Sequence, residues 1–291
     1  SAGAVYVFVR SGTTWTQQAY LKASNTSFAG KFGHSVAVSE GTIVVGAFGE
    51  SSSATGVNAN PYTPSSPDAG AAYVFVRSGG TWSQQAYLKA SNTGAFDHFG
   101  DSVSISGDTV VVGASGEASN ATGPDSNQSD NSANEAGAAY VFVRSAGTWT
   151  QQAYLKASNT GPGDRFGHSV AVSGATIVIG ALLEDSNAVG VNGDQTNNSA
   201  ADSGAAYVFV RSAGTWSHQA YLKASNTKAS NTGQGQWFGH AVSVAGDTVV
   251  VGAQNDLSMA TGVNGDQNDE SACCAGAAYV FERSGETWSQ Q

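Results

Sequence analysis

The residues best suited to chemistry in this 291-residue chain are oxygen donors gathered in two loops. One reads EDSNAVGVNGDQTNNSAADSG from residue 184 and contains Asp185, Asn187, Asp194 and Asp202. The other reads NDLSMATGVNGDQNDESACCAG from residue 255 and contains Asp256, Asp266, Asp269 and Glu270. A hard cation such as Ca2+ takes about six to eight oxygens from carboxylates, amides and carbonyls, so each loop is a candidate calcium site. The competing reading is a solvated loop ordered by Asx turns and by the Asn192-Gly193 and Asn264-Gly265 turns. His34, His168 and His240 each follow a Phe-Gly pair, but Asp101 holds that place once. They therefore read as strand histidines that hydrogen-bond within the sheets, with no shared metal or catalytic duty. Trp237 is read either as packing under a long loop or as a platform for a sugar ring. The adjacent Cys273 and Cys274 give no disulfide framework and no spaced set of zinc ligands. They are two free thiols, a vicinal disulfide or a bridge to another chain. No Ser or Cys sits in a nucleophile context such as Gly-x-Ser-x-Gly. Asn25, Asn120, Asn127 and Asn197 satisfy Asn-x-Ser/Thr, which a chain this rich in Ser, Thr and Asn yields by chance. No catalytic group stands out, and the chain is expected to be no enzyme.

Composition narrows the partners. Twelve Lys and Arg against 22 Asp and Glu give a net charge of −10. That balance repels a phosphate backbone and offers no polybasic surface to anionic lipid, so nucleic acid is excluded as a partner. No apolar run approaches the roughly 20 residues of a spanning helix, and no membrane insertion is expected. The chain opens inside a strand pattern without an initiator Met or a signal peptide, which points to a piece of a longer precursor. Charged residues make up 12% against about 25% in ordinary domains, and 37 glycines accompany a 40% hydrophobic fraction carried largely by Val, Ala and aromatics. Long helices are improbable and the fold should be β-rich.

The elements that must position these groups recur. GAVYVFVR at Tyr6 returns at Tyr73, Tyr140, Tyr207 and Tyr279, at steps of 67 residues and once of 72. Trp15, Trp82, Trp149, Trp216 and Trp288 keep the same steps, and Phe-Gly recurs at Phe32, Phe99, Phe166 and Phe238. The longer step comes from a doubled linker, KASNTKASNT, at 223 to 232. A period of this length dictates the architecture. Each unit reads as four strands, near 32–39, 42–47, 71–77 and 82–90 in the first repeat, with tight turns and one long polar loop between the second and third. Four short antiparallel strands per repeat describe the blades of an all-β β-propeller; a β-solenoid normally has much shorter repeats. Phe32, Val36, Val44, Tyr73 and Phe75 and their equivalents are expected in the core. Arg10, Arg77, Arg144, Arg211 and Arg283, with Lys22, Lys89, Lys156 and Lys223, read as charges that keep exposed outer strands from pairing with other molecules.

FGHSVAVS-GTIVVGA, FGDSVSISGDTVVVGA, FGHSVAVSGATIVIGA and FGHAVSVAGDTVVVGA, each followed by a GAAYVF strand, resemble FG-GAP repeats. These are the blade units of integrin α-subunit propellers and of many secreted or surface bacterial proteins. The resemblance covers essentially the whole chain. It implies a non-enzymatic propeller used in adhesion or ligand binding outside the cell or at its surface. The family's calcium loop, Asp-x-Asp-x-Asp-Gly between the first two strands, is replaced here by plain turns such as Ser39-Glu40-Gly41, so that site does not carry over. The oxygen-rich stretch is the loop between strands two and three, opened by Glu50, Glu117, Glu184 or Asp256. Its first copy has PYTPSSP in place of acids.

The chain divides into a partial blade at 1–31, repeats at 32–98, 99–165 and 166–237, and a shortened repeat at 238–291. The hairpin within residues 1–23 is surplus to four blades. It seeds a fifth blade, docks on a neighbouring protomer, or marks a cut from a larger propeller. The leading function is a non-enzymatic extracellular β-propeller acting in adhesion or as a structural surface or assembly component. The second is a lectin-like module that binds glycans through the long loops, with calcium as an optional cofactor. The partners expected are a protein or glycan at the loop face and, through the N-terminal hairpin, a further copy of the chain.

Overall fold

A computed structural model describes residues 2–228, 235–269, 271–272 and 274–291. Glu270, Cys273 and residues 229–232 of the doubled linker lie outside the described residues. All regular structure there is β-strand. Strands β1 (Val5–Ser11) and β2 (Thr14–Leu21) form the surplus hairpin. Four four-stranded antiparallel sheets follow, each in simple chain order. They are β3 (Val36–Ser39) to β6 (Thr81–Leu88), with β4 (Thr42–Ala47) and β5 (Ala71–Ser78) between; β7 (Phe99–Ser106), β8 (Thr109–Ala114), β9 (Ala138–Ser145) and β10 (Thr148–Leu155); β11 (Phe166–Ser173), β12 (Thr176–Ala181), β13 (Ala205–Ser212) and β14 (Thr215–Leu222); and β15 (Phe238–Ala245), β16 (Thr248–Ala253), β17 (Ala277–Ser284) and β18 (Thr287–Gln290). These are the blades the repeat predicts.

The second strands are continuous apolar runs because both of their faces are covered: every residue of β4, β8 and β12 is buried. The cores lie between the sheets. Val44, Ala72, Val74 and Leu88 of one blade pack against Phe99, Val110, Val112, Tyr140 and Phe142 of the next. The same contact recurs between the second and third blades and between the third and fourth. The hairpin covers the first blade in this way, with Leu21, Val5 and Val7 against Phe32, Ile43 and Tyr73.

Close stacking explains the Gly-Ala that ends each second strand. A Cβ on Gly46, Gly113 or Gly180 would stand about 2 Å from the carbonyl oxygen of Gly100, Gly167 or Gly239 in the next blade. Ser35, Ser102 and Ser169 donate to those same carbonyls. A bulge in the strand-three to strand-four ladder supplies a further tie. Val74 pairs with Ala86 and Phe75 with Gln84, which leaves Gln85 extra, and Gln18, Gln152 and Gln219 stand at the same place. Each extra glutamine accepts the indole N–H of the next blade's tryptophan, at 2.8 Å for Trp82, Trp149, Trp216 and Trp288. The bulge thus re-aims one side chain across the interface.

Two expectations, one of burial and one of strand length, are corrected at the first blade. Val36 is 56% exposed although its equivalents Val103 and Val170 are buried, and β3 is shortened to four residues. First strands pack on the second strand of the preceding blade, and the hairpin carries only a third and a fourth. The sheets do not close into a ring. The outward face of the last blade leaves Val250 and Val280 each 36% exposed, whereas Val44 and Val74 at the same places in the first blade are sealed. At the other end the hairpin shows Tyr6, Phe8, Trp15 and Tyr20 to solvent.

Candidate functional site

The acid that opens each long loop is not free to bind a ligand. Lys89 Nζ lies 2.9 Å from Glu50 Oε2, Lys156 3.0 Å from Glu117, and Lys223 2.8 Å from Glu184, with all six side chains buried. The lysines therefore do not guard exposed edges, which corrects that expectation. They leave the end of the fourth strand for the interior, where each ammonium also donates to the chain: Lys89 to the carbonyls of Ser52 and Gly70, Lys156 to that of Gly137. Burial pushes each lysine pKa down, and the charge and hydrogen bond of its glutamate pull it back up. The pair is held together because neither charge can stay buried alone.

The linker asparagine and a third-strand tyrosine complete the network. Asn25, Asn92 and Asn159 donate to the glutamates at 2.7 to 2.9 Å and accept the hydroxyls of Tyr73, Tyr140 and Tyr207 at 2.6 Å. In the last repeat Asp256 takes the acid's place, bound by Asn226, Tyr279 and the Ser258 amide. The sequence contained a signal for these pairs, since each Glu precedes its Lys by 39 residues in three repeats.

The arginines are also engaged. Arg144, Arg211 and Arg283 lie 5.1 to 5.3 Å from the ring centroids of Trp149, Trp216 and Trp288. Arg144 and Arg283 pair with Asp108 and Asp247, and Arg144 reaches back to Thr42 and Gln85 of the preceding blade. They brace stacked blades as well as capping strands.

The candidate calcium ligands are dispersed along their loops. Asp185 accepts the amide of Asp202, and Asp194 takes both the amide and the hydroxyl of Thr196. Asn187 is exposed, while Asp266 and Asp269 close Asx turns on Asn268 and Ser271. Asp256 belongs to the buried network. Among the described residues, no three His, Cys, Asp or Glu side chains gather at distances that hold a metal ion.

The residues after Phe-Gly form a row across the blades. His34 Nε2 lies 3.3 Å from Asp101 Oδ1, and His168 Nδ1 lies 3.6 Å from Asp101 Oδ2. Burial alone would raise the Asp101 pKa, but hydrogen bonds from His168 and Ser115 and the histidine charges hold it below the usual range. The one break in the histidine pattern is thus the acceptor its two neighbours share. His168 lies 5.3 Å from the ring of His240, and Trp237 stacks at 9° on His240. Cys274 is exposed.

Two further acids, Asp97 and Asp164, are buried with no motif in the sequence to mark them. Their carboxylates accept the amides of Gly94 and Gly161 and feel the charges of the buried lysines. Burial pushes the two acids up to about 6 and about 8, against the lowering effect of those amides.

A family model described as FG-GAP repeat matches residues 15–75, 82–142, 149–209 and 216–281. No curated protein matches the chain. Among solved structures, one similar chain comes from a Saccharomyces cerevisiae assembly of a Dbp5 variant bound to Nup159, a Gle1 variant, IP6 and ADP. It is 10% identical with a TM-score of 0.41, over 96% of this chain and 50% of that one. This chain therefore spans half the length of that relative, and the likeness bears on neither fold nor function.

Proposed function

Because the chain belongs to the FG-GAP repeat family, we propose that it is a non-enzymatic, extracellular or cell-surface module of adhesion and assembly, which docks end to end with further copies of itself. One observation carries this reading: the two bare ends repeat residues from the two sides of the contact used inside the stack, the hairpin supplying the third- and fourth-strand part of the cover. Val250, Ala278 and Val280 on the last blade repeat Val44, Ala72 and Val74, which the next blade covers in the first. Tyr6, Phe8 and Tyr20 on the hairpin repeat Tyr73, Phe75 and Tyr87, which supply such a cover. A head-to-tail contact of this kind propagates as a filament or closes as a ring. Light scattering tests the reading: Val280→Glu places a charge in the joint and should hold the chain at 29.4 kDa at concentrations where the wild type forms multiples. An unchanged mass distribution in that variant would remove the proposal. A second reading, glycan recognition through the long loops, is favoured by a cleft in the first repeat.

A further inference from the structure

In three repeats a glutamine latches the long loop onto the linker before the next Phe-Gly. Its side-chain oxygen accepts the hydroxyl of the linker serine, in Ser91 to Gln128, Ser158 to Gln195 and Ser225 to Gln267. Its backbone carbonyl accepts the amide of the adjoining asparagine, Asn92, Asn159 or Asn226. The 67-residue register puts Pro61 at this place in the first repeat. Proline has no side-chain oxygen, and Asn25 is left with Glu50 and Tyr73 as its side-chain partners. Where the latch is missing a cleft of about 400 Å3 opens between linker and loop, within the range of small-molecule sites.

Its lining is polar and largely fixed. Glu50 and Ser52 form the floor, 4% and 5% exposed, and Lys89 neutralises Glu50. Thr26 and Thr63 line the sides, and the Thr63 hydroxyl is buried without a hydrogen-bond partner. Tyr62 stands at the rim, 78% exposed, its amide held by Asn60. A neutralised carboxylate offers little to a cation, and a chain of net charge −10 repels anions. The hydroxyls of Thr26, Ser51 and Ser52 already donate to the Ala23 and Gly49 carbonyls and to Glu50, so the walls present acceptor oxygens beside one aromatic face, which suit the hydroxyl donors of a neutral sugar whose C–H face covers the ring.

From this geometry we infer that the cleft at Pro61 and Tyr62 is a calcium-independent binding site for a neutral glycan. The inference rests on the glycan reading of the loops and is independent of end-to-end assembly. The intact chain should retain neutral oligosaccharides on a glycan array in EDTA. Titration calorimetry with the strongest of these should show at least tenfold weaker binding for Tyr62→Ala and for Pro61→Gln, which restores the latch. Circular dichroism melts of both variants should stay at or above the wild-type midpoint. No retained glycan, binding abolished by EDTA, or equal affinity in both variants would overturn the site. Light scattering on the same samples reads assembly separately, so either idea can fail alone.

Discussion

Lys156 and Glu117 show most clearly how a residue's role here depends on partners far away in sequence. A buried lysine is rare, so a lysine on a strand grid reads as a surface device until the fold delivers an acid from 39 residues earlier. Lys156→Met should cost about 3–5 kcal/mol in denaturant unfolding, because it strands Glu117 in the interior. Lys22, which hydrogen-bonds the Gly3 carbonyl at the open end, should lose far less on the same change. Asp164 makes the pH prediction. Its folded pKa of about 8 lies above an unfolded value near 3.9, so the folded state holds a proton that the unfolded state has released. Its contribution to stability is therefore full below about pH 4 and is lost as pH rises through 8. Asp164→Asn keeps an acceptor for the Gly161 amide and removes the titration. Its melting temperature should fall less than the wild type's between pH 5 and pH 8.5. A parallel fall would contradict the assignment. Neither role was legible beforehand, since burial of these groups is a property of the stack.

Strands were the most legible level. Alternation, turn residues and the repeat locate four per unit, and the structure follows them except at β3, which lacks the second strand of a preceding blade to pack on. The long loops were legible only as polar: their Asx turns were one of two readings, and the latch to the linker depends on contacts that spacing does not display. The Gly-Ala at the end of each second strand has a contextual cause that can be tested within one chain. Gly180→Ala would drive its Cβ to 1.9 Å from the Gly239 carbonyl, whereas on Gly252 the nearest atom stands at 3.6 Å. Overpacking of this kind costs about 1–3 kcal/mol or more. Calorimetric melts should show Gly180→Ala strongly destabilised and Gly252→Ala close to wild type. Equal effects would mean that the glycine serves its own strand and not the contact between blades.

At the scale of the whole molecule, four interfaces of one kind join a hairpin and four blades into an open stack whose ends repeat residues from the two sides of that interface. Blade number and strand order could be counted in the sequence; whether the stack closes could not, because closure depends on small rotations between neighbours. The central claim is that the bare ends find each other between molecules. Small-angle X-ray scattering over a concentration series reads mass and shape together. The account predicts scattering mass rising in multiples of 29.4 kDa with a particle that departs from a single compact chain. A constant mass of 29.4 kDa up to high micromolar concentration, with a radius of gyration near the roughly 19 Å of a compact 291-residue domain, would contradict it.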